Sequence, residues 1–124
     1  MLDHLSFGVT DLSRSATFYD AVLAPLGYVR VWTASDAVGY GYPNRDDSFA
    51  IKQESTDLTI SSPRSHLAFA APTREAVAEF HAAALAHGAI DEGAPGLCPE
   101  YGPTYFAGFV RDPDGHRLEA VCHE

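Results

Sequence analysis

Apolar residues alternate with polar or small ones over Leu2–Val9, placing Leu5, Phe7 and Val9 on one side. That period-two pattern predicts a half-buried strand. The period then lengthens: Leu12, Ala16, Tyr19, Leu23 and Leu26 recur at helical spacing and make one apolar stripe. Thr10 or Asp11 can cap this helix at its start, and Pro25 and Gly27 close it. Short strands follow over about Tyr28–Thr33, Val38–Tyr42 and Phe49–Gln53, separated by turn-forming segments.

The same order then returns. His4-Leu5-Ser6-Phe7 recurs 62 residues later as His66-Leu67-Ala68-Phe69, and Phe18, Ala21 and Leu23 match Phe80, Ala83 and Leu85. His66–Ala71 reads as a strand, Thr73 as a cap, and Val77, Phe80 and Ala84 as a helical stripe. Strands over Ala89–Glu92, Thr104–Val110 and Arg117–Cys122 complete the second copy. Asp112-Pro113-Asp114-Gly115 is a strong hairpin turn, whereas Gly93–Gly102 reads as a mobile loop. The chain is thus expected to be one α+β domain of two units, about 1–57 and 64–124, joined through the polar segment Glu54–Arg64.

Composition narrows the function classes. At 124 residues the chain is long enough for a proper core. A net charge of −9 argues against nucleic acid and anionic membrane surfaces, leaving a small molecule or a protein as partner. No apolar run approaches the roughly 20 residues that span a bilayer. Met1-Leu2-Asp3-His4 lacks the basic start of a secretion signal, so a cytoplasmic location with Cys98 and Cys122 reduced is expected.

Strand alternation brings in chemistry. If Leu5, Phe7 and Val9 face the helix, His4, Ser6 and Gly8 face away, and His66, Ala68 and Ala70 do so in the second copy. In the last strand Leu118, Ala120 and Cys122 form the apolar set, leaving Arg117, Glu119, Val121 and His123 opposite. Two histidines at equivalent positions and a glutamate can therefore line one surface. Such ligands suit a divalent ion of the Fe, Mn, Ni, Zn or Co type and leave coordination positions open. Equally, His4 and His66 can be strand residues satisfied by local hydrogen bonds, with Glu119 a solvated edge charge. Trp32, Tyr40, Tyr42, Tyr101, Tyr105 and Phe106 are candidates for an apolar cavity wall or for plain packing, and Lys52 or Arg111 for an anionic substrate group. His116 sits in a turn without evident chemistry, and Cys122 reads as a small buried apolar residue.

The opening His-Leu-Ser-Phe-Gly-Val-Thr-Asp-Leu-Ser-Arg-Ser, with Phe18-Tyr19 and Leu26-Gly27-Tyr28, resembles the first module of the glyoxalase/bleomycin-resistance/extradiol-dioxygenase superfamily, the vicinal oxygen chelate fold. His66-Leu67-Ala68-Phe69 and Asp112-Pro113-Asp114-Gly115-His116-Arg117-Leu118-Glu119 resemble its second. The resemblance implies two βαβββ modules whose mixed sheets curl around a cavity, with helices outside. It implies metal ligands His4, His66 and Glu119, and a fourth position near Ile51 or Lys52 that holds no usual ligand. Glyoxalase I activity, which needs a glutamate there, is thereby disfavoured. What the resemblance leaves is a metal-dependent lyase, isomerase or dioxygenase acting on a small oxygenated substrate, or a metal-free drug-binding module of the bleomycin-resistance kind. It also implies a homodimer.

Overall fold

Each predicted helix begins at a side-chain cap. In the computed structural model, which describes residues 1–55, 58 and 64–124, Asp11 accepts from Arg14 N at the start of α1 (Leu12–Leu23) and Thr73 accepts from Ala76 N at the start of α2 (Arg74–Ala86). After α1 a short 3-10 turn, Ala24–Leu26, carries Pro25 and ends at Gly27 in a left-handed conformation, φ 90°. That backbone shape strains any residue with a Cβ. Gly88 does the same after α2, φ 92°.

Eight strands are found among the described residues: β1 (Leu5–Val9), β2 (Val29–Thr33), β3 (Ala37–Gly41), β4 (Phe49–Gln53), β5 (His66–Ala70), β6 (Ile90–Leu97), β7 (Phe106–Arg111) and β8 (Arg117–Cys122). They form two four-stranded mixed sheets of identical topology, β1-β4-β3-β2 and β5-β8-β7-β6, each with one parallel and two antiparallel pairings. The duplicated βαβββ architecture is thus present, and neither sheet closes into a barrel. The expected joint Glu54–Arg64 lies mostly outside the described residues.

Two element boundaries differ most from expectation. β1 starts at Leu5 rather than Leu2, because the first bond tying it to its neighbour is Leu5 N to Ser48 O. His4 therefore precedes the strand. β6 runs on to Leu97, through half of the expected loop, with irregular register on either side of Gly93. It is an edge strand, so Pro95 costs no ladder bond and the irregularities absorb the misfit. A second 3-10 turn, Pro99–Tyr101, follows it.

The core lies where the two modules meet. α1 packs on α2, and Phe49 of the first sheet meets Phe69 of the second edge-to-face, centroids 5.3 Å apart. Tyr19, Phe18, Phe80, Leu23, Leu26 and Ile51 are fully buried there. Each contributes about 1.5–3 kcal/mol from removal of apolar surface from water. One core thus serves both modules, and the sheet faces turned away from it are the places where a site can form.

Candidate metal and ligand site

β5 and β8 run parallel with His66 opposite Arg117, Ala68 opposite Glu119 and Ala70 opposite Val121. Paired residues share a face, so His66, Arg117 and Glu119 project to the side away from the core. Leu118, Ala120 and Cys122 point the other way, into it. Glu119 Oε2 lies 3.2 Å from His66 Nε2, with the histidine side chain 52% exposed and the glutamate only 2%. The Tyr105 hydroxyl donates to Glu119 Oε1 in a short hydrogen bond. Burial and the adjacent carboxylate push the Tyr105 phenol well above its ordinary value, which keeps it a donor.

These groups open on a cavity of about 620 Å³, lined by His66, Arg117, Glu119, Tyr101, Tyr105 and Phe109, with Arg64 and Glu92 at its border. Among the described residues every one that lines it lies between positions 64 and 119, in the second module. Glu92 Oε1 meets Arg111 Nε at 2.5 Å, without hydrogen-bond alignment, and Arg117 Nε at 3.6 Å. Cys98 sits nearby, but burial, followed by Glu100 and Glu119, raises its thiol, so it is not poised as a thiolate.

The expected site residues separate into three groups. His66 and Glu119 come together, and Tyr101 and Tyr105 line the same cavity. His4 does not join them: it is exposed and its Nδ1 lies 2.7 Å from Asp3 Oδ1. Among the described residues no three His, Cys, Asp or Glu side chains of one chain converge as metal ligands. The rest lie outside the cavity. Trp32 lies over Gly39 on the first sheet and donates to Asp47 at 3.0 Å. Lys52 sits on that same sheet, next to Gly8. Arg111 lies behind Glu92. Tyr40 is 1% exposed, its hydroxyl bound to Ala16 O and Asp20, so it belongs to the core of the first module and not to the wall of this cavity.

Register also corrects the fourth ligand position. Ser6 pairs with Ala50 as Ala68 pairs with Glu119, and Ser6 and Ala68 are repeat equivalents. The first-module counterpart of Glu119 is therefore Ala50, while Ile51 points into the core. Alanine offers no donor atom. Arg117 and Phe109 line the cavity as well, and the alternation of β8 alone places Arg117 on the Glu119 side.

The model of the Glyoxalase/Bleomycin resistance protein/Dioxygenase superfamily matches residues 1–120. The chain belongs to this superfamily. A glyoxalase/bleomycin resistance protein from Albidiferax ferrireducens T118 is 32% identical over 96% of this chain and 95% of its own, with a TM-score of 0.80. A glyoxalase-related enzyme from Fulvimarina pelagi, 21% identical over 98% of this chain and 86% of its own, has a TM-score of 0.69 and shares the fold. So does a glyoxalase/bleomycin resistance protein/dioxygenase family enzyme from Burkholderia phytofirmans PsJN, 16% identical over 99% and 98%, with a TM-score of 0.72. The curated proteins contain no match. In this superfamily member, the Asp-Pro-Asp-Gly-His segment does not reach the cavity. It joins the modules: Asp114 accepts from Thr10 and Arg14, and His116 Nε2 lies 2.8 Å from Gly8 O while its ring stacks on Phe7. No helix among the described residues is long and apolar enough to cross a membrane.

Proposed function

We propose that this protein is a small metal-dependent enzyme, a lyase, isomerase or dioxygenase in type, that acts on a small oxygenated molecule as a homodimer. The carrying observation is the approach of His66 Nε2 to Glu119 Oε2 at 3.2 Å on a cavity whose described lining comes from the second module. A buried carboxylate needs compensation, and the partners it has here, a phenol and an imidazole, carry no permanent charge. An imidazole and a carboxylate suit a divalent ion of the Fe, Mn, Ni, Zn or Co group. Their third companion in the repeat, His4, stands at the exposed start of β1 and outside this group. A second copy of the chain, laying its first sheet over the second sheet of this one, would supply the partner's His4 and close the cavity.

A bound ion held by His66 and Glu119 would supply Lewis acidity toward substrate oxygen. The chain's own residues do the rest: Tyr105 fixes the Glu119 carboxylate, and Tyr101 and Phe109 give the ligand an apolar wall beside it. Ala50 at the matching position of the first module gives three donors per site rather than four, so glyoxalase I chemistry itself is not proposed.

Elemental analysis tests this directly. The purified protein should carry about one divalent ion per protomer, as the ligand set implies, and His66→Ala or Glu119→Gln should lose it. A His4→Ala chain co-expressed with a Glu119→Gln chain should recover one site per mixed dimer, because one of its two sites keeps all three donors. Metal content unchanged in His4→Ala and His66→Ala would sink the assignment. No metal together with retention of an aromatic ligand would make the protein a binding module instead.

A further inference from the structure

We infer that the molecule taken by this cavity carries a carboxylate, seated by Arg117 beside the His66–Glu119 pair. The inference rests on the proposed site and deepens it by naming the substrate class: a compact carboxylic acid with an apolar body.

Register makes the first argument. Arg117 is the direct strand partner of His66 and lies two residues before Glu119, so all three project from one face and line one cavity. Neighbouring strands are about 4.8 Å apart, so a guanidinium here lies within reach of a small ligand held at His66.

Charge makes the second. Arg111 and Arg117 share the single carboxylate of Glu92, and Arg111 takes it at 2.5 Å while Arg117 stands at 3.6 Å. One carboxylate against two guanidinium groups leaves positive charge at the cavity, on the arginine that lines it. Glu119 adds a negative charge of its own, but its oxygens are engaged by Tyr105 and His66 and not by Arg117, and Arg64 brings a further cation to the same lining. In a chain of net charge −9 such a place is not a by-product of composition. A guanidinium matches a carboxylate with two parallel hydrogen bonds, a geometry a neutral group cannot use. Tyr101, Tyr105 and Phe109 then face the apolar part of the ligand.

The test uses a matched pair with identical vicinal oxygens, catechol and 3,4-dihydroxybenzoate, titrated calorimetrically into the purified full chain, both metal-loaded and metal-stripped. The acid should bind about tenfold tighter or better, the scale of a charge-assisted hydrogen bond. Arg117→Gln should erase that preference and leave catechol affinity unchanged. Arg117→Lys, which keeps the charge and loses the fork, should restore only part of it. Equal affinities in the wild type, an equal loss for both probes in Arg117→Gln, or no binding of either probe overturns the carboxylate seat. Metal content reports separately on the site beneath it. An Arg117-dependent preference in a protein that binds no metal would sink the metalloenzyme and keep the seat. Metal binding without the preference would do the reverse.

Discussion

Glu119 shows how much one side chain asks of its neighbours. A carboxylate with 2% exposure loses most of its hydration, and the Tyr105 hydroxyl replaces part of it. Tyr105→Phe removes that donor without changing shape. It should cost about 1–3 kcal/mol in stability, the penalty for a buried acceptor left unpaired, and weaken metal binding about 10–100-fold, the usual effect of losing a partner of a metal ligand. Thermal melts and competitive metal titration would read both, and unchanged metal affinity would show that Tyr105 does not orient Glu119. The pairing of His66 with Glu119 was legible because alternation in two strands settles which side each faces. The same rule places Tyr40, since it shares its face of β3 with Val38 and both join the core. Its aromatic type drew it toward the cavity instead. Alternation also assigns faces only inside a paired strand, and His4 lies one residue before one.

At the scale of elements, the turn between β7 and β8 is the most informative piece. Its hairpin role was plain from Asp112-Pro113-Asp114-Gly115, with Gly115 at φ 95°. Its second role was not, because a contact with another module leaves no local signature. Asp112 is 3% exposed, accepts from the backbone N of Asp114 and His116, and receives the Tyr19 hydroxyl at 2.5 Å. Burial raises the Asp112 carboxyl above its ordinary 3.8 and outweighs the hydrogen bonds that favour its charge. A raised carboxyl binds its proton more tightly folded than unfolded. Its contribution is therefore fully present below pH 3.8 and is lost as pH rises through the folded value. Asp112→Asn keeps an acceptor for both amides and cannot ionise. Its melting temperature relative to wild type should climb as pH rises from 3.8 through the raised folded value. A difference that shrinks over that range would mean that Asp112 is stabilised as the anion. Register is the other thing elements hide: the position matching Glu119 came out as Ala50 and not Ile51 or Lys52, because loop lengths do not say which residues pair.

The whole molecule depends on those cross-module contacts. A duplicated unit can come apart into two weak halves, each with too little core to stand alone. Here α1 meets α2, Phe49 meets Phe69, and the β7–β8 turn plugs the start of α1. Asp114 is the centre of that plug: its side chain is 3% exposed and its oxygens accept from Thr10 Oγ1 at 2.6 Å, Arg14 at 3.3 Å and Ser15 Oγ at 3.4 Å. Asp114→Ala removes the acceptor of the Thr10 N–H and O–H and of the buried Ser15 hydroxyl, while Arg14 keeps its bond to Thr10 Oγ1 and can reach water. The cost should be on the order of 3 kcal/mol, from unpaired polar groups at about 1–3 kcal/mol each. Because the apolar core also crosses the joint, the variant should still unfold in one transition at a lower midpoint, by tryptophan fluorescence from Trp32 in the first module and by circular dichroism of the whole chain. Two separated transitions would mean that the turn, rather than the shared core, couples the halves. None of Asp114, Thr10, Arg14 and Ser15 lines the cavity, so metal content should survive the substitution, whereas its loss would mean that the plug holds Arg117 and His66, which border the joint beside His116 and Phe7.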